Sequence, residues 1–137
     1  MPLYYADATA LVKLVREEPE SAALRGFVDD ADLVSCELVL AELPRAIRRA
    51  AALDPQLPAS TLMQRSQQVV DAIALRALDR TVLLAAGALD MPSLRALDAI
   101  HVAAAIDVFP HDGFISYDER QSAAARLAGL RTFQPRP

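Results

Sequence analysis

Cysteine and lysine are nearly absent from this chain, and glycine is scarce. Among 137 residues there is one Cys, Cys36, so no intramolecular disulfide forms and no metal cluster can be built on thiolates. A lone thiol fits a reducing cytosol. Lys13 is the only lysine, and every other cation is Arg, a side chain suited to bidentate contact with phosphate. Four glycines and a hydrophobic fraction of 53% exclude a disordered chain. No apolar run approaches the length of a membrane span. The N-terminus lacks a basic stretch followed by a long apolar core, so no secretory leader is expected. The net charge of −4 excludes a generic nucleic-acid coat, though not a local basic patch. There is no P-loop and no Gly-x-Ser-x-Gly elbow. An aspartyl-phosphatase start would want a second acid at position 9, where Thr stands.

What the chain does have is acid in apolar places. Asp7 follows the strand-like run Leu3-Tyr4-Tyr5-Ala6. Glu42 falls within Leu38-Val39-Leu40-Ala41-Glu42-Leu43, and Asp98 within the apolar stretch 97–106. Asp118 closes Phe114-Ile115-Ser116-Tyr117. An ionised carboxylate away from water is costly unless paired, hydrogen-bonded or metal-bound. Four of them spread along the chain imply a fold that gathers them around a cation. Each also has a structural reading: a helix cap for Asp7, Asp98 and Asp118, and a surface ion pair with Arg45 or Arg49 for Glu42.

The periodicity predicts a strand at 3–6, then a helix capped by Thr9 running to about Glu17. A short helix to Val28 and a strand at 31–35 follow. Ser35 is expected to cap a helix from Cys36 to Leu53, kinked by Pro44. Residues 54–58 read as a linker too short to divide domains. Helix resumes at 60–71, with a short strand at 73–78. Asp79 is expected to cap a helix to Leu89. Then come a very apolar helix at 97–108, a strand at 114–117, a helix at 119–128 stopped by Gly129, and an edge strand at 131–133. Strands alternating with helices indicate one domain over 1–137, a three-layer α/β/α sandwich with a mostly parallel central sheet. In such sheets sites form beyond the carboxyl ends of the strands, where both Asp7 and Asp118 stand.

An all-oxygen donor set suits Mg²⁺ or Mn²⁺. Zinc is disfavoured, because only His101 and His111 are available and they are not spaced as paired ligands. Such ions can promote phosphodiester hydrolysis, in one-metal or two-metal form. Arg45 and Arg49 stand three and seven residues after Glu42, near its helical face, and can clamp RNA phosphate; a solvated helix face is the plainer reading. His101 shares a face with Asp98, and a packed or supporting role suits it better than ligation. Thr9 and Ser116 can orient a ligand or water, or act as local hydroxyl caps.

Residues 1–13, Met-Pro-Leu-Tyr-Tyr-Ala-Asp-Ala-Thr-Ala-Leu-Val-Lys, resemble the opening of PIN-domain ribonucleases, particularly the VapC toxins of bacterial toxin–antitoxin pairs. Ala41-Glu42-Leu43-Pro44-Arg45-Ala46 resembles their second motif. Leu94 to Ala105, with Asp98-Ala99-Ile100-His101, resembles the third, and Phe114 to Gln121 the last. The ordered set spans essentially the whole chain. The resemblance implies a PIN-like fold and an acidic site for Mg²⁺ or Mn²⁺ at Asp7, Glu42, Asp98 and Asp118. It implies a cytoplasmic endoribonuclease cutting tRNA or ribosomal RNA, a homodimer, and an inhibitory VapB-type antitoxin. Ser116 stands where many PIN domains carry Thr or an acid, which leaves the number of metal ions open. The rival reading is a non-catalytic PIN-like module that binds RNA or protein. A structure-specific DNA nuclease would need helical insertions for which 137 residues leave little room.

Overall fold

Tyr5 and Ala6, adjacent in the first strand, face opposite ways, and each seeds one half of the core. The protein is described by a computed structural model covering residues 1–137. Its elements are β1 (Leu3–Ala6), α1 (Ala8–Val15), α2 (Ser21–Val28), β2 (Asp32–Cys36), α3 (Val39–Leu53) and α4 (Ala59–Asp71), followed by β3 (Ala74–Arg76), α5 (Arg80–Gly87), α6 (Ala96–Asp107), β4 (Gly113–Ile115), α7 (Glu119–Leu127) and β5 (Thr132–Phe133). The five strands form one sheet in the order β3-β2-β1-β4-β5, with every pairing parallel.

Strand side chains alternate between faces, so the sheet carries an apolar layer on each side. On one side Tyr5, Val34, Cys36 and Phe114 pack with Val82 of α5, Ala104 and Ala105 of α6, and Ala125 of α7. On the other, Ala6 and Ile115 pack with Leu11 of α1, Leu24 of α2, Leu43 of α3 and Val70 of α4. The α/β/α sandwich expected from the sequence is therefore the fold observed. Gly113 is required where it stands, because a Cβ there would collide with the Phe133 ring of β5.

The chain winds outward from β1 through β2 to β3, then returns to place β4 on the other side of β1. That reversal opens a crevice beyond the carboxyl ends of β1 and β4, where ligands bind in open α/β sheets. Ala6 is in register with Ile115, so Asp7 and Ser116 leave the sheet side by side.

Several expected boundaries move. The first helix is capped by Asp7, whose side chain accepts from the Ala10 amide; Thr9 lies inside the helix. Pairing with β3 extends β2 through Cys36, so α3 starts at Val39 and Ser35 is buried in the strand, capping nothing. Helix α3 runs on through Pro44. Asp79 caps α5 and Gly129 follows α7 at φ +90°, both as expected.

Candidate active site

The four acids arrive at the crevice by different local routes. Asp7 is the last extended residue of the β1 exit and the N-cap of α1. Its carboxylate is fully buried. Oδ1 accepts from the Ala10 amide at 3.0 Å and from the Thr9 hydroxyl at 2.6 Å, and Oδ2 accepts from the Ser116 hydroxyl. Thr9 and Ser116 are themselves held, accepting from the amides of Tyr117 at 2.8 Å and Asp118 at 3.0 Å. Burial raises the Asp7 carboxyl above its usual range, against the pull of His101 and these hydrogen bonds.

Glu42 sits in the first turn of α3, and its Oε1 lies 2.6 Å from Nε2 of His101 on α6. The surface pairing of Glu42 with Arg45 or Arg49 does not form: the chain's ion pairs involve Lys13, Arg25, Arg76, His101 and Arg136. Asp98 lies in the first turn of α6 but does not cap it, since Arg95 occupies the N-cap position. Its Oδ1 accepts from the side-chain amide of Gln121 at 2.8 Å. Asp118 caps α7, accepting from the amides of Arg120 at 2.8 Å and Gln121 at 3.1 Å. A carboxylate there is also favoured by the helix dipole.

Gln121 thus touches two acids at once, through its side chain and its backbone. The single Ser116 hydroxyl donates to the Asp7 carboxylate and accepts from the Asp118 backbone amide. His101, one turn beyond Asp98, joins Glu42 to α6. Burial draws the His101 pKa down, but the Cys36 sulfur and the Glu42 carboxylate carry it up to about 10.

Glu42, Asp98 and Asp118 line one cleft of about 760 Å³, together with Thr9, Gln121, Lys13, Arg45 and Arg49. Asp7 lies behind Thr9. Arg45 and Arg49 are exposed on the rim. A second cleft shares Asp98, Tyr117 and Asp118 with the first and is bordered by Arg95 and Arg120. Lys13 reaches Glu20 at 2.9 Å and Glu18 at 3.7 Å, with its ammonium 4.7 Å from the Tyr117 ring centre, so its charge is spent within the protein.

As placed, no three acidic, imidazole or thiol side chains form a group that encloses an ion directly. The donor set still suits a hydrated hard cation. Mg²⁺ keeps several waters and takes one or two carboxylates, and this cleft offers the carboxylates of Glu42, Asp98 and Asp118 around an open volume. Sequence reasoning missed Gln121, Tyr5 and Arg120. Only Gln121 left a signal, as an amide three residues after Asp118 on the inward face of α7.

The PIN-domain family profile matches residues 4–127. Ribonuclease VapC35 of Mycobacterium tuberculosis (strain ATCC 25618 / H37Rv) is 36% identical over 142 residues, covering 97% of each chain. Ribonuclease VapC46 of the same strain is 36% identical over 137 residues, covering 98% of this chain and 99% of its own. Among solved structures, PAE2754 from Pyrobaculum aerophilum superposes with a TM-score of 0.64 at 17% identity, over 96% of this chain and 83% of that one. VapBC2 from Rickettsia felis, bound to a promoter DNA fragment, gives 0.67 at 9% identity, over 97% and 98%. At these identities the superpositions speak for the fold alone.

Proposed function

The chain belongs to the PIN-domain family, among the VapC ribonucleases, and from that premise we propose that it is a Mg²⁺- or Mn²⁺-dependent endoribonuclease acting at the cleft of Glu42, Asp98 and Asp118. The observation that carries this reading is one cleft at the sheet's switch point. Three acids line it, a fourth stands directly behind, and two unpaired guanidinium groups edge it.

Each residue has a part. Asp98, Asp118 and Glu42 offer carboxylate oxygens to a hydrated cation, directly or through its waters. Asp7 is the buried anion of the site, with Thr9 and Ser116 fixing its orientation. Gln121 holds Asp98 and Asp118 at a set separation. Arg45 and Arg49 hold backbone phosphates at the rim and carry no base specificity. When bound, the cation supplies Lewis-acid activation of a water and neutralises charge on the phosphodiester.

The partners follow the same reading. A VapB-type antitoxin covers the site in the inhibited state, the toxin is a homodimer, and tRNA or ribosomal RNA is the substrate. Residues 1–137 act as a single PIN-like domain in the cytoplasm; no helix is long and apolar enough to cross a membrane. The non-catalytic alternative would not need all four acids to be kept in place. The test is cleavage of a structured RNA by purified protein in Mg²⁺ or Mn²⁺, with chelator and Asp98→Asn as controls. Loss of cleavage in both controls is expected. Cleavage that survives chelator and the substitution would place the chemistry elsewhere.

A further inference from the structure

Glu42 is held from the opposite helical layer. Its partner His101 is fully buried within the apolar α6, between Ile100 and Val102. A buried imidazole must find a partner for each nitrogen. Nδ1 lies 2.8 Å from the Tyr5 hydroxyl, and Nε2 lies 2.6 Å from Glu42 Oε1. An ionised carboxylate only accepts, so Nε2 carries the hydrogen that points at Glu42. That holds for the neutral ring and for the imidazolium alike. Tyr5 is itself immobile: it is fully buried, and its ring stacks on Phe114 with centroids 5.4 Å apart and planes 3° from parallel.

We propose that Tyr5 and His101 are positioning residues for Glu42, forming a hydrogen-bonded line from the rigid β1–β4 core to the cleft that occupies Oε1 and leaves Oε2 free for the cation or its water. The proposal rests on the metal-site reading above. Without His101, Glu42 would be a half-buried side chain with rotamer freedom and no other side-chain partner. With it, one turn of α6 sets two acids, Asp98 from its own backbone and Glu42 through the imidazole.

Two substitutions separate positioning from packing. In His101→Gln the terminal amide nitrogen falls near the Nε2 position and can still donate to Glu42. In His101→Asn it falls near Nδ1, where it meets Tyr5 and the Cys36 sulfur and does not reach Glu42. Both leave a polar group in the core, and a merely structural role predicts equal effects. Mn²⁺ affinity is measured without RNA by electron paramagnetic resonance, beside metal-free melting temperature. The expected result is near-native affinity in His101→Gln and an affinity about tenfold to a hundredfold weaker in His101→Asn, the range for outer-shell partners of metal ligands. Equal affinities in the two variants overturn the proposal and leave the metal site standing. A wild type that takes up no Mn²⁺ overturns both. Nitrogen-15 NMR of the metal-free wild type supplies a check that needs no variant fold: the His101 Nε2 must be protonated, and a bare Nε2 overturns the line.

Discussion

Replacing Asp7 with Asn separates the charge of this buried group from its hydrogen bonds. The Asn carbonyl can still accept from Thr9 and Ala10, and Asn is as good an N-cap as Asp. Its amide then donates to Ser116 Oγ, whose own hydrogen can turn toward the Asp118 carbonyl 3.5 Å away. The pull of His101 on the charge is lost, but burial outweighs it, and one desolvated charge is removed. Asp7→Ala instead deletes the cap, about 1 kcal/mol, and strands the buried donors that Asp7 served, about 1–3 kcal/mol. In chelator at neutral pH, Asp7→Asn should therefore melt at or above the wild type. Asp7→Ala should fall by about 2–4 kcal/mol, on the order of 10 °C for a chain of this size. The pH dependence gives the sign independently. Burial raises the folded Asp7 pKa above the ordinary 3.8. Such a group contributes its full stability below the ordinary value and loses it as pH rises through the raised one. The gap between wild type and Asp7→Asn should close near pH 4 and widen in favour of Asn toward neutrality. Urea midpoints across that range, with chelator throughout, measure it. An Asn variant destabilised by about 2 kcal/mol at pH 7, the size of a lost charged hydrogen bond, or a gap that ignores pH, would refute the reasoning. Asp7 would then be a paired structural anion.

Added Mn²⁺ should stabilise the wild type by about 2.7 kcal/mol at a hundredfold excess over Kd. Asp98→Asn should lose most of that response without losing metal-free stability, since Asp98 caps nothing; thermal melts with and without Mn²⁺ decide this. Asp118→Ala should cost about 1 kcal/mol in the metal-free protein, because Asp118 does cap α7. Replacing Arg45 and Arg49 together with Ala should flatten the salt dependence of RNA binding by roughly one unit of slope per lost phosphate contact. An unchanged slope removes both from the RNA surface. Gln121→Leu should keep the fold and lower cleavage by about tenfold to a hundredfold, through release of Asp98. Native cleavage rates would show that Asp98 needs no support.

Local chemistry was readable residue by residue. Asp79 and Gly129 did what their types predict, because a cap and a left-handed turn are decided by the three or four residues around them. The strand 3–6 was equally plain from its apolar run. The errors lie where pairing overrode local preference. Thr9 looked like the cap, but β1 holds Asp7 extended at φ −82° and ψ −179°, which places Asp7 at the helix start. Ser35 looked like a cap and Cys36 like the first helical residue, but Cys36 pairs with Arg76 and stays in the sheet.

The acids themselves were legible because charge stands out in an apolar run, although only Asp7 is buried and Glu42, Asp98 and Asp118 stand partly exposed at the cleft. Their partners were not. Ser116 meets Asp7 across 109 residues, His101 meets Glu42 across 59, and Gln121 meets Asp98 across 23. Those choices depend on β4 returning beside β1 and on α6 crossing to the layer opposite α3. By itself, then, the sequence determined the elements, the order of the motifs and which carboxylates would be out of place. The hydrogen bonds that orient each carboxylate were decided only by the tertiary structure, since a buried group's partner is whichever donor the packed layers bring within about 3 Å.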